Sequence, residues 1–186
     1  MSSTEGNSPP KLVQQATQGS RAAFSKLVEP HLGRLIALAT RMMDSQHSGE
    51  DAVQDGLASV WLARHRLDPD RPIGPYLTTA VLNKCRDRLR ARKAKRFFGV
   101  ESSEGPALIG DERPNPEHIA AARQELDLLR AEIERLPIRL REALVLVSID
   151  GRSQAEAASL LGVSEKAIET RVYRARQRLR KKFDQI

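Results

Sequence analysis

Cysteine, aromatic residues and long apolar runs are all scarce in this 186-residue sequence. It has one cysteine, Cys85, which excludes an internal disulfide framework and a zinc site built from several cysteines. Four Phe, two Tyr and one Trp are few for a β-rich core. No apolar run approaches the roughly 18 residues needed to cross a bilayer. We therefore expect a cytoplasmic protein without membrane insertion.

Patterns typical of enzymes and metalloproteins are missing as well. No glycine-rich phosphate loop, nucleophile elbow or paired acid and base occurs. His47, Asp51 and Asp55 follow one another at the spacing of metal ligands on a helix. Ser48 and Gly49, however, indicate that the helix starts after His47, which would remove that alignment. We predict a protein that is not an enzyme and has no catalytic residue, metal or cofactor.

Positive charge is abundant and unevenly distributed. The net charge is +7 for the chain, and it divides into +7 for residues 1–96, −4 for residues 97–122 and +4 for residues 123–186. Residues 97–122 are also rich in Pro and Gly, which predicts a flexible acidic linker. Residues 1–10 are predicted to be disordered. The two cationic domains, 11–96 and 123–186, suit an anionic partner such as nucleic acid, although a solubilising surface charge remains an alternative.

Apolar residues recur at helical intervals in both domains, and no segment alternates with a period of two. The predicted fold class is therefore all-α. The first domain is predicted to be a bundle of three or four helices, with one or two across residues 23–39, where Pro30 marks a kink or a boundary. The next helix starts at Ser48, whose hydroxyl would cap the amide of Asp51, and another begins near Pro75.

The second domain is predicted to end in a helix-turn-helix. Helices over residues 119–136 and 140–149 come first. Ser153 and Glu156 then have the spacing of a capping box, and Gly162 permits a left-handed turn before the last helix. An ordinary helical hairpin with a glycine turn is the alternative. The outer face of the last helix favours the helix-turn-helix, because its side chains suit a major groove and its phosphates: Lys166, Thr170, Arg171, Arg174, Arg178 and Lys182.

A second cationic face lies on the helix that follows Pro75. It consists of Asn83, Arg86, Arg90 and Lys93, next to Lys84 and Arg88. A solvated helix face explains such a run equally well. Asn83 differs from its cationic neighbours, because its amide can both donate to and accept from a base edge.

An acidic group precedes that helix in the sequence: Glu50, Asp51 and Asp55, around Gln54. Carboxylates in the first turn of a helix are stabilised by its dipole, by about 0.3–1 kcal/mol each. The residues alone do not decide between this stabilisation and a partner-binding role.

Four segments, in this order, resemble the extracytoplasmic-function sigma factors of the sigma-70 family. They are AFSKLVEPHLGRLIALATRMM, GEDAVQDGLASVWL, PYLTTAVLNKCRDRLRARK and RLPIRLREALVLVSIDGRSQAEAASLLGVSEKAIETRVYRARQRLR. The first three are similar to sigma region two, and the last is similar to region four along its length. The resemblance implies a protein that binds core RNA polymerase and directs promoter recognition, DNA melting and transcription initiation.

The resemblance also implies roles for individual residues. Those that would dock on the β′ clamp helices of the polymerase are Glu50, Asp51, Gln54 and Asp55. Those that would open and read the minus-ten element are Asn83, Lys84, Arg86, Arg90 and Lys93. Those that would bind the minus-thirty-five element are Lys166, Glu169, Thr170, Arg171, Arg174, Arg176 and Arg178. The implied partners are core RNA polymerase, including its β flap, promoter DNA and an anti-sigma factor.

Three positions depart from the family pattern. Glu169 stands where many relatives carry a basic residue, and its carboxylate could accept from a cytosine amino group. Pro75 and Tyr76 replace a common tryptophan-leucine pair, and Ile138 replaces a proline. Two other functions remain open: a regulator that binds duplex DNA through residues 152–182 alone, and a basic helical scaffold.

Overall fold

The computed structural model describes residues 10–43, 45–98 and 116–184, and within them it contains eight α-helices and no strand. The helices are α1 (Pro10–Thr17), α2 (Arg21–Met42), α3 (Gln46–Leu62), α4 (Ile73–Phe97), α5 (Pro116–Arg135), α6 (Ile138–Leu144), α7 (Gln154–Leu161) and α8 (Glu165–Phe183). A 3₁₀ turn covers Arg64–Arg66, and a π-helical segment, Val145–Ile149, continues α6. The chain divides into two compact units, Met1–Gly99 and Val100–Ile186. These findings confirm the all-α fold of two helical domains.

In the first unit, α3 packs against both α2 and α4, and α1 packs against α2. Two glycines of α3 make these crossings close. A Cβ atom at Gly49 would lie 2.7 Å from the backbone nitrogen of Thr40 in α2. A Cβ atom at Gly56 would lie 2.9 Å from Cγ2 of Val81 in α4. The core between the helices is largely apolar, and it includes Leu38, Met42, Val53, Val60, Leu77, Leu82 and Cys85.

Several helix boundaries in the first unit differ from the predicted ones. Pro10, predicted to be disordered, opens α1, and the rest of the predicted disordered segment lies outside the described residues. Pro30 lies inside α2 and does not end it. The predicted start of α3 at Ser48 is wrong, because Ser45 caps this helix and α3 begins at Gln46.

In the second unit, α8 packs against α5, α6 and α7. Leu136, Leu144 and Ala175 form a buried cluster that joins the end of α5, the end of α6 and the middle of α8. α5 begins at Pro116, inside the segment predicted to be a linker. Of that predicted linker, residues 99–115 lie outside the described part of the chain. Its flexibility therefore stays a prediction.

Candidate binding surfaces

The acidic group of α3 lies beyond the first turn of its helix. Ser45 Oγ accepts a hydrogen bond from the backbone nitrogen of Ser48 at 3.2 Å, so the helix starts before the position predicted. Glu50 and Asp51 therefore fall in the second turn. The helix dipole acts mainly within the first turn, and dipole stabilisation is therefore wrong as an explanation of these carboxylates.

His47 lies inside α3, so the expectation that the helix starts after it is wrong. Its Nε2 atom is 3.9 Å from Oδ2 of Asp51, and its side chain is 87% exposed. Within residues 10–43, 45–98 and 116–184, no group of three or more His, Cys, Asp or Glu side chains is arranged to hold a metal ion. The firm contacts of both aspartates are made instead with an arginine of α4.

Arg88 of α4 bridges the two aspartates. Its Nη2 atom donates to Oδ2 of Asp55 at 2.7 Å, and its Nη1 atom donates to Oδ2 of Asp51 at 3.3 Å. The hydrogen bond to Asp55 raises the pKa of the Arg88 guanidinium above its ordinary value, against the opposite effect of partial burial. One turn further along α4, Nη2 of Arg92 donates to Oγ of Ser48 at 2.7 Å. Arg92 follows Arg88 in α4, whereas its partner Ser48 precedes Asp51 and Asp55 in α3. The two helices are therefore antiparallel in this region.

The outward side of the acidic group is accessible. Glu50, Gln54 and Asp55 are exposed, and Asp51 is half-buried. Oε1 of Glu50 accepts from Nε2 of Gln46 at 2.8 Å. We call Glu50, Asp51, Gln54 and Asp55 the acidic surface. It presents carboxylate oxygens that can accept hydrogen bonds from a cationic partner.

The predicted stripe on α4 is present as a solvent-facing row. Asn83, Arg90 and Lys93 are exposed, and Arg86 is half-buried. Nη1 of Arg86 donates to Oδ1 of Asn83 at 2.7 Å. This contact uses one of the two lone pairs of the Asn83 carbonyl oxygen, so the amide can still donate through Nδ2 and accept through Oδ1 at a base edge.

Arg88 lies apart from this row, although the sequence suggested that the two adjoin. A residue five positions after Asn83 lies on a different flank of a helix, and Lys84, four positions before Arg88, shares that flank. Sequence reasoning missed the roles of Arg88 and Arg92. One signal was available: both arginines are spaced as neighbours on one helix face, and so are Ser48, Asp51 and Asp55 on the other helix.

The helix-turn-helix is built as predicted. The backbone nitrogen of Ser153 donates to Oε2 of Glu156 at 2.8 Å, and the backbone nitrogen of Glu156 donates to Oγ of Ser153 at 3.1 Å, which is a complete capping box. Gly162 ends α7 with φ +64°, a left-handed conformation that glycine adopts without strain. Ser164 caps α8 through the backbone nitrogen of Ala167 at 3.2 Å. Ile168, Val172 and Ala175 are buried and anchor α8 in the unit.

Of the residues in the N-terminal half of α8 that were predicted to meet DNA, Lys166 and Glu169 are exposed, whereas Thr170 and Arg171 are half-buried. Nζ of Lys166 donates to Oε2 of Glu169 at 2.8 Å, and both side chains are exposed. The Thr170 hydroxyl donates to the backbone oxygen of Lys166 at 2.8 Å. Nη2 of Arg176 donates to Oγ of Ser148 in the π-helical segment at 3.1 Å. Arg176 thus faces that segment, while the pair formed by Lys166 and Glu169 lies open to solvent.

The C-terminal half of α8 borders a groove of about 420 Å³ beside the start of α6. Tyr173 is 62% exposed there, with apolar lining from Pro137 and Leu140. Arg174 and Arg178, predicted to bind DNA, also line this groove. The groove therefore combines an apolar floor with cations.

Comparison with known proteins assigns the chain to a family. The family models Sigma-70 region 2 and Sigma-70 region 4 match residues 27–95 and 126–179. The RNA polymerase sigma factor CnrH of Cupriavidus metallidurans is 40% identical over 173 residues, covering 90% of each chain. The ECF RNA polymerase sigma factor SigM of Mycobacterium tuberculosis is 31% identical over 169 residues, covering 91% of this chain and 81% of SigM. The chain belongs to the extracytoplasmic-function sigma factors of the sigma-70 family.

A solved structure agrees with this assignment. The structure of CnrH in complex with the cytosolic domain of CnrY superposes on this sigma factor with a TM-score of 0.65 at 33% identity, covering 95% of this chain and 97% of CnrH. The sigma factor binds core RNA polymerase and promoter DNA, and it directs transcription initiation, as its family does. The match over residues 27–95 is not explained by a regulator that binds DNA through residues 152–182 alone.

The family consists of initiation factors that are not enzymes. Among the residues that the structure describes, no helix is both long enough and apolar enough to span a membrane.

Proposed function

We propose that the acidic surface of α3 is the part of this sigma factor that docks on the β′ clamp helices of core RNA polymerase. The observation that carries the proposal is the accessibility of its polar groups, because Glu50, Gln54 and Asp55 are all exposed on one helix. The carboxylates do not cap α3, because Ser45 is the N-cap of this helix. They are free of a structural role at the helix start and can serve an interface.

The exposed row on α4, in this proposal, opens and reads the minus-ten element. Single-stranded DNA requires cations along its backbone and polar groups for its bases. Arg86, Arg90 and Lys93 supply the cations, and Lys84 adds one from the neighbouring flank. Asn83 supplies the amide donors to the base edge, held in place by its contact with Arg86.

The N-terminal half of α8 reads the minus-thirty-five element in the major groove. Lys166 and Glu169 offer one donor and one acceptor side by side, and Thr170 and Arg171 lie next to them. Arg174 and Arg178 contact phosphates further along the helix. Arg176 approaches the DNA from its place beside Ser148.

The groove beside α6 receives the β flap of the polymerase, since its apolar floor suits a hydrophobic segment and exposes Tyr173 to it. An anti-sigma factor holds the chain inactive until it is needed. The complex of CnrH with the cytosolic domain of CnrY supports a protein partner of this kind. The chain acts in the cytoplasm and catalyses no reaction itself.

The acidic surface can be tested with a charge-matched pair of variants. Asp51→Asn combined with Asp55→Asn removes two carboxylates with little change of shape. We expect the affinity for purified core polymerase to fall about 2- to 30-fold, the effect of losing two exposed ion pairs. Asp68→Asn combined with Asp70→Asn, in the same unit, changes the net charge equally and should leave the affinity unchanged. Unaltered binding by the Asp51 and Asp55 variant would contradict the proposal.

A further inference from the structure

We propose that Arg88 is an internal counter-cation that occupies the polymerase-binding carboxylates of Asp51 and Asp55 and thereby limits the affinity of this sigma factor for core polymerase. The inference rests on the proposed function of the acidic surface. It assigns Arg88 a positioning role, because the residue would act through the two aspartates and touch neither polymerase nor DNA itself.

The geometry makes Arg88 a competitor for these carboxylates. One guanidinium contacts Oδ2 of both aspartates, at 2.7 Å for Asp55 and 3.3 Å for Asp51. Both carboxylates therefore already accept hydrogen bonds from Arg88. A cation of the polymerase has to displace or share these hydrogen bonds before it can form its own.

The ion pairs of Arg88 with Asp51 and Asp55 are also weak enough for a cation of the polymerase to displace Arg88. The side chains of Arg88, Asp51 and Asp55 are 32%, 37% and 52% exposed. Ion pairs at such exposure contribute little to folding, because water screens them and two side chains must be ordered. Removal of Arg88 should consequently leave the unit folded. The neighbouring contact of Arg92 with Ser48, and the close crossing of Gly56 with Val81, still hold α3 against α4.

The test measures core affinity for variants at position 88. Arg88→Gln and Arg88→Met remove the charge, and Arg88→Met also keeps an apolar stem of similar length. Both should bind core polymerase about 1.4- to 5-fold more tightly than the unaltered chain, the effect of one exposed ion pair. Arg88→Lys keeps the charge but lacks the two guanidinium nitrogens that donate to the aspartates. It should bind core polymerase with the affinity of the unaltered chain. Arg71→Gln is the control, since it removes a different cation paired with an aspartate, Asp68, in the same unit.

A double-mutant cycle identifies the groups through which Arg88 acts. When Asp51→Asn and Asp55→Asn are present, Arg88→Gln has no carboxylate to release. Its effect on core affinity should then be lost, because substitutions that act through one shared contact are not additive. A gain in affinity that persisted in this background would arise elsewhere and would contradict the proposal.

The outcomes separate this inference from the function on which it rests. If the aspartate variant weakens core binding but Arg88→Gln leaves it unchanged or weakens it, Arg88 does not compete with the polymerase for the carboxylates and the inference alone is overturned. If the aspartate variant binds normally, the acidic surface is not the docking site, and both the proposed docking function and the inference about Arg88 are contradicted. Failure of Arg88→Gln and Arg88→Met to fold, seen as loss of the thermal unfolding transition, would assign Arg88 to the fold and would also overturn the inference.

Discussion

Substitution of Asn83 tests whether this residue contacts a base of the opened promoter or only contributes to DNA binding. Asn83→Ala removes the amide donors from the exposed row of α4, and it also removes the acceptor for Arg86 at 2.7 Å. Asn83→Asp keeps that acceptor but has neither N–H donor. If the donors matter, both variants should fail to the same degree or Asn83→Asp should fail more, because its carboxylate repels phosphate. If only the anchoring of Arg86 matters, Asn83→Asp should fail less than Asn83→Ala, because it keeps the acceptor for Arg86.

The size of the effect follows from the hydrogen bonds that the Asn83 amide would make to a base. A well-formed pair of such bonds is worth about 1–3 kcal/mol, which corresponds to about a 5- to 150-fold change in the open-complex equilibrium. The closed complex holds duplex DNA through phosphate contacts, to which a neutral amide adds little. We therefore expect the loss to appear at the melting step.

The assay compares the two steps on one promoter. Closed-complex binding is measured by gel shift at low temperature, and open-complex formation is measured by permanganate reactivity of unpaired thymines at higher temperature. Arg86→Ala, which leaves the amide in place, gives the contribution of the neighbouring cation. An equal loss in closed and open complexes for Asn83→Ala would refute the reasoning, as would an unaltered open complex.

Two further predictions concern α8. Arg174→Ala combined with Arg178→Ala should weaken duplex binding for every sequence and should make the negative slope of log affinity against log salt shallower by about 0.9 for each phosphate that is no longer bound; an unchanged slope would contradict phosphate contacts by these two residues. Glu169→Gln should alter the preferred base at one position of the minus-thirty-five element by about 1–3 kcal/mol and leave the salt slope intact. Selection from promoters randomised in that element checks this, and an unaltered preference would contradict it.

Local signals in the sequence were sufficient for the helix-turn-helix. The capping box of Ser153 and Glu156 and the left-handed Gly162 depend on residues within a few positions of each other, and all are present in the structure. The start of α3 was missed for a local reason too. Ser45 and Ser48 are both good caps three residues apart, and propensity alone does not choose between them.

The contact of Arg88 with Asp51 and Asp55 could not be predicted in the same way. These residues are more than 30 positions apart in the sequence, and their meeting depends on how α3 and α4 cross. That crossing is set by the absence of a side chain at Gly56, which lets the two helices approach closely. Arg88 could therefore be assigned to a flank of α4 from the sequence, but its partners required the fold.

The central claim is that this chain joins core RNA polymerase and gives it promoter specificity. In vitro transcription with the purified chain, purified bacterial core enzyme and a genomic library tests it most directly. We predict initiation at a limited set of start sites that share minus-ten and minus-thirty-five elements and that vanish when the chain is omitted. Failure to associate with core enzyme, or association without specific start sites, would contradict the claim.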